Sequence, residues 1–225
     1  MQEIFAQLFG PNPELREIIG LTLVMSVLST LVSGAIGIPL GTWLGLTEFK
    51  GKRTWLKINS TLMGLPPVLV GLLVFLLLSH SGPLGKLRLL FSLPAMVIAQ
   101  VILITPIITG MTANLISLNA NAINETCLGL RVPPFRKLLL VLKDFRKDYL
   151  INVLAGFGRS IAEVGAVQMV GGNIQYKTRV MTTAIMMQTN MGQFEQALAL
   201  GFVLLCIAFL VNFGVQSLQK GNSDD

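Results

Sequence analysis

Charge is what this 225-residue chain has least of. Asp, Glu, Lys and Arg make up 12% of it, against roughly a quarter in a soluble globular domain. That shortfall argues against an ordinary water-facing surface. Histidine occurs once, as His80, and cysteine twice, as Cys127 and Cys206. Cys127 lies in a polar stretch and Cys206 in an apolar one, so the pair predicts neither a disulfide nor a metal site. A single loop imidazole coordinates nothing on its own. No G-x-x-x-x-G-K-S/T phosphate loop is present, so any ATP is hydrolysed elsewhere. No pair of acids stands near a nucleophile, and no serine has a visible base partner, which leaves no reading as an enzyme and implies no cofactor. Glu3 interrupts the positive start that a cleavable signal peptide needs. The net charge of +6 could suit nucleic acid, but the basic residues sit between apolar runs, where the positive-inside rule places them.

Apolar residues are what the chain has in excess, at 52% of its length with a mean hydropathy of +0.70. A bilayer takes about 20 residues per helix. The pattern predicts an all-α polytopic membrane protein with about five transmembrane helices, over roughly residues 19–46, 58–78, 89–117, 149–171 and 197–218. Residues 1–18 read as an interfacial segment with Ile4, Phe5, Leu8 and Phe9 on one face, residues 19–218 as the membrane domain, and 219–225 as a tail. Gly37, Gly41 and Gly45 form a small-residue stripe suited to close helix contact within the chain. Pro39 predicts a bend, and Pro66 with Pro67 predicts a break in the second span, because two prolines remove two backbone donors. Residues 173–196 are long enough for a short helix that dips back without crossing.

Orientation follows from the cations. Lys50, Lys52, Arg53 and Lys57 in one loop join Arg131, Arg136, Lys137, Lys143, Arg146 and Lys147 in the loop at about 118–148, with Lys220 in the tail. The opposite side has Arg16, Lys86, Arg88, Lys177 and Arg179. The richer side is read as cytoplasmic, which puts the N-terminus outside and the C-terminus inside.

The stretch from Ala120 to Asn173 carries the chemistry. A polar segment runs to Leu130, Pro133-Pro134 forms a hinge, and a basic amphipathic run from Phe135 follows. Farther on, Arg159 and Glu163 lie four apart within an apolar segment, spaced to pair on one helix face. Charges at that depth mark either a structural ion pair or a pathway. Asn173, Lys177, Thr178, Arg179, Thr182 and Thr183 gather where an outer mouth would be, and two cations there would concentrate anions.

Glu125-Thr-Cys-Leu-Gly129 with the basic run resembles the cytoplasmic coupling loop of ABC importer permeases. Ile123 stands at that loop's usual acidic position, and Glu125 comes two residues later. Leu65-Pro66-Pro67-Val68-Leu69-Val70-Gly71 and Gly158-Arg159-Ser-Ile-Ala-Glu163-Val-Gly165-Ala166, followed by Gly171-Gly172-Asn173-Ile174, are similar to stretches of the molybdate, tungstate and sulfate permeases, most of all the tungstate group. The resemblance implies a type I importer permease core in the cytoplasmic (inner) membrane, moving a tetrahedral oxyanion by alternating access as a homodimer. It implies a separate ATP-binding subunit contacting Glu125, Gly129, Leu130, Pro133 and Phe135, an extracytoplasmic oxyanion-binding protein, and surrounding membrane lipid. A stand-alone anion channel or secondary transporter is the competing class. Such proteins often carry internal repeats, and none is visible between the halves.

Overall fold

Where apolar residues run on, the chain stays helical for long distances. The computed structural model describes the backbone of residues 13–223 and the side chains of 14–214. Within it α1 spans Pro13–Leu46, α4 Leu93–Gly129 and α9 Phe194–Ser223. The interfacial helix expected around Ile4 to Phe9 lies outside the described residues. Between the long helices come α2 (Lys52–Met63), α3 (Pro67–Leu78), α5 (Pro134–Asp144), α6 (Arg146–Ile161), α7 (Gly165–Gly171) and α8 (Met181–Asn190), with one short 3₁₀ turn at Gly85–Leu87. Every regular element among the described residues is helical.

Three helices are long and apolar enough to cross a membrane, and five spans result if each bent pair counts as one. The first pair, α2 and α3, turns through 94°. Pro66 is extended (φ −62°, ψ 122°) and Pro67 opens α3. A proline cannot donate to the preceding turn and pushes its predecessor out of helix, yet its fixed φ suits the first turn of a new one. At 1.5 Å per residue α3 reaches only about 18 Å, short of the ~30 Å hydrocarbon core. The second pair, α6 and α7, turns through 61° at Ala162-Glu163-Val164.

Several expected boundaries move: α1 begins at Pro13, so residues 13–18 of the expected interfacial segment belong to the first long helix, and α9 runs Phe194–Ser223 rather than 197–218. The third span does not stop near 117: α4 continues to Gly129, so the first half of the anticipated loop is a helical extension of a span. Residues 118–129 are polar but hold no breaker before Gly129, and polarity changes what surrounds a helix rather than whether it propagates. Similarly α2 begins at Lys52 rather than 58, which places Lys52, Arg53 and Lys57 on helix. Neither Pro39 nor Pro106 interrupts its helix.

The small-residue stripe of α1 lies against α4. A Cβ added at Gly41 would come within 2.6 Å of the Thr109 carbonyl, and one at Gly45 within 2.7 Å of Ile116 Cβ. These glycines are therefore occupied by a contact within the chain. The central core joins α1, α3, α4 and α7 through Met25, Val70, Val74, Met96, Ala99, Val167 and Val170. A second cluster ties α8 to α1 and α9 through Ile18, Met181, Ala184 and Leu200. Outward faces carry large apolar residues, among them Leu72, Leu73, Leu76 and Leu77 on α3 and Phe202, Leu205, Phe209 and Leu210 on α9. That is the chemistry of a surface solvated by lipid tails.

Candidate functional site

The first candidate region is the corner where α4 hands over to α5. The last turn of α4 closes with the Arg131 N–H on the Leu128 carbonyl (3.1 Å) and the Val132 N–H on the Cys127 carbonyl (2.9 Å). Arg131 sits in the left-handed region at φ 51°. This double closure is a Schellman ending, and Pro133 then prevents any resumption of the helix. The α5 helix folds back on α4. Val141 is buried, Ile123, Leu138 and Leu142 pack around it, and Lys137 Nζ donates to Asn124 Oδ1.

The outer face of the same corner is left bare. Leu130 is 72% exposed and Phe135 71%, and Glu125, Gly129 and Pro133 are exposed beside them. An open groove of about 450 Å³ runs along Leu130, Val132, Pro133, Leu139 and Leu140, with Arg131, Arg136 and Lys143 at its edges. A Cβ added at Gly129 meets nothing within 4 Å, so the chain's own packing does not require glycine there. Of the five residues anticipated for ATPase contact, Leu130 and Pro133 line this groove, and Glu125, Gly129 and Phe135 are exposed.

The second region is the bend between α6 and α7. Arg159 Nη1 donates to Glu163 Oε2 at 2.8 Å; the arginine side chain is 40% exposed and the glutamate 4%. The other carboxylate oxygen accepts the Ala166 N–H at 3.3 Å, and the Glu163 backbone carbonyl accepts the Thr182 hydroxyl at 2.9 Å. Glu163 therefore ties together the end of α6, the start of α7 and the start of α8. Two glycines bring α3 close to this bend. A Cβ at Gly71 would sit 2.8 Å from Ala166 Cα, and one at Gly165 2.7 Å from Val68 Cγ2.

One turn inward lies a polar knot that the sequence reading did not single out. Ser29 on α1 donates to Gln100 Oε1 on α4 (2.7 Å) and lies 3.0 Å from the Ser160 hydroxyl on α6. The Ser160 hydroxyl also donates to Gln100 Oε1, and Gln100 Nε2 donates to the Ser160 carbonyl at 3.0 Å. All three residues are buried. A lone glutamine in an apolar span was the available signal, since its amide has to find partners there.

Most of the residues expected at an outer mouth are engaged within the chain. Thr178 is fully buried, donating to the Gly171 carbonyl at 2.6 Å and accepting the Ile174 N–H. Thr183 donates to Asn173 Oδ1 at 2.9 Å, and Asn173 Nδ2 faces Met187 Sδ. Thr182 is committed to Glu163. These hydroxyls fold the segment onto the bundle and are not offered to a solute in this conformation. The physical reason is that a buried hydroxyl without a partner is costly, so a loop packed inside a membrane protein satisfies itself first. Arg179 is likewise engaged, with Glu14 at 2.7 Å, while Lys177 is exposed. No cluster of metal-ligating side chains occurs among the described residues, and both cysteines are free.

The family described as "Binding-protein-dependent transport system inner membrane component" matches residues 37–223. A tungstate uptake system permease protein of Peptoclostridium acidaminophilum is 40% identical over 209 residues, covering 93% of this chain and 92% of that protein. The protein of the same name from Campylobacter jejuni is 38% identical over 214 residues, covering 95% and 89%. A probable anion ABC transporter permease protein of Haloferax volcanii is 36% identical over 203 residues, covering 88% of each. A profile match over most of the chain, joined to an all-helical polytopic fold with two broken helices, leads to one conclusion: this chain belongs to the binding-protein-dependent transport system inner membrane component family and is a multi-pass permease of the inner membrane.

Proposed function

We propose that this chain is the permease subunit of an ATP-driven importer for a tetrahedral oxyanion, with tungstate as the substrate and molybdate or sulfate as the alternatives. It works as a homodimer, with an ATP-binding subunit docked on each copy inside and an oxyanion-binding protein outside. The N-terminus faces outward and the C-terminus the cytoplasm. The observation that carries the docking is the bare corner at Leu130 and Phe135, where exposed apolar side chains stand beside a glycine with open space around it. Apolar surface of that kind beyond the spans, rimmed by cations, is the mark of a protein contact. The substrate class is supported by the relatives at 40% and 38% identity, both named tungstate uptake permeases. Alternating access then needs only that motion of the docked corner reach the bend at Glu163, and α4 runs from that corner back to Gln100, which holds the Ser160 carbonyl at the end of α6.

The test is reconstitution. The permease is placed in liposomes with its ATPase, with ATP inside and tungstate-loaded binding protein outside, and tungstate entry is followed by elemental mass spectrometry. Entry that requires all three components supports the assignment. Entry without ATPase or binding protein would favour a stand-alone carrier.

A further inference from the structure

We infer that Arg159 is the contact through which the oxyanion passes the bend between α6 and α7, with Glu163 as the resident counter-ion that the anion displaces; this deepens the function proposed above and rests on it. Arg159 and Glu163 are the charged residues deep within the spanning part of the α6–α7 pair. A structural ion pair in such a place is expected to be sealed, since a charge facing hydrocarbon is expensive. This one is asymmetric. The carboxylate is 4% exposed and held by a backbone N–H as well as by arginine, whereas the guanidinium gives Nη1 to it and leaves 40% of its side chain uncovered.

The surface around the uncovered side is not lipid-like. The exposed apolar faces elsewhere, as on α3 and α9, present Leu and Phe. Beside Arg159 stand Gly158, where an added Cβ would meet nothing within 4 Å, and Ala162, which is exposed. A strip of glycine, arginine and alanine at the break of a span offers no hydrocarbon cover. The space beside Gly158 is open, next to a fork of N–H donors. Arginine matches paired oxygens of an oxyanion in a bidentate manner, and the nearby Glu163 keeps that grip weak enough for release, as conduction requires. The threonines and Arg179, expected at the outer mouth, are committed to bonds within the chain.

The experiment compares variants of the assembled transporter, with ATPase and binding protein, in the tungstate-entry assay. Arg159→Gln should assemble with the ATPase, lower the maximal entry rate at least tenfold and leave half-saturation by loaded binding protein unchanged. Arg159→Lys should retain entry to within about threefold, because a cation remains. The double change Arg159→Gln with Glu163→Gln decides between passage and packing. It strands no charge, so a purely structural pair would recover entry, whereas a passage contact leaves entry low while assembly stays intact. Recovery of entry in the double variant, or full entry in Arg159→Gln, would overturn the inference. Failure of the unaltered assembly to move tungstate, molybdate or sulfate would instead overturn the function on which the site rests.

Discussion

At the scale of single residues, the glycines separate into those that the fold needs and those that it does not. A side chain on Gly41 would collide with the Thr109 carbonyl and with Thr112 Cβ, at 2.6 and 2.7 Å, and backbone cannot step aside cheaply. Gly41→Val should therefore cost about 1–3 kcal/mol of stability, the usual range for overpacking, and show as a lower melting temperature of the detergent-solubilised protein. Gln100 poses the opposite problem. Gln100→Leu removes the acceptor shared by Ser29 and Ser160 and the donor to the Ser160 carbonyl. The two hydroxyls can still reach each other at 3.0 Å, so the loss should be about 1–2 kcal/mol rather than the sum of all the bonds. The same melting measurement checks it, and Ser29→Ala should cost less, because Gln100 then keeps both of its contacts to Ser160.

At the scale of elements, the extension of α4 and the return of α5 form one rigid lever. The Schellman ending at Arg131 fixes the angle between them, and Val141 buried beneath α5 locks it. A force applied at Leu130 and Phe135 is thereby passed along α4 as a helix, not absorbed by a loose loop. Two substitutions distinguish docking from folding. Gly129→Trp enters open space, so the amount of folded protein should be unchanged while ATP-driven tungstate entry falls at least tenfold. Phe135→Asp should abolish co-purification with the ATPase, because an exposed apolar anchor of the proposed contact is replaced by a charge. Unaltered entry and assembly in both would remove the corner from the docking surface.

At the scale of the whole molecule, the chain has many ways to hold itself together and few to hold a dianion. Among the described residues, the hydroxyls nearest the expected outer mouth are internally bonded and Arg179 is paired. Arg159 shares its charge with Glu163. Isothermal calorimetry on the purified permease should accordingly find only weak tungstate binding, and rising salt should weaken it further by screening. Tight stoichiometric binding would contradict a pathway that depends on a separate binding protein for affinity. The two half-helices α3 and α7, packed through Gly71 and Gly165, are the elements that a change of access would have to rearrange, since neither is long enough to span alone.

Much of this architecture was legible before any coordinates. Composition set the solvent as lipid, and missing backbone donors at Pro66-Pro67 and Pro133-Pro134 set where helices end, because both are properties of a residue and its immediate neighbours. The stripe Gly37, Gly41, Gly45 announced a close helix contact for the same local reason. Which helix it meets, and which polar group each buried side chain chooses, are decided at long range. Ser29 and Ser160 are 131 residues apart, and Arg179 and Glu14 are 165 apart. A threonine such as Thr182 reads equally well as a ligand or as a brace, until folding places the Glu163 carbonyl 2.9 Å from its hydroxyl. Sequence determined which groups must be satisfied; tertiary structure decided by whom, because in a low-dielectric interior each buried donor takes the nearest acceptor that packing delivers.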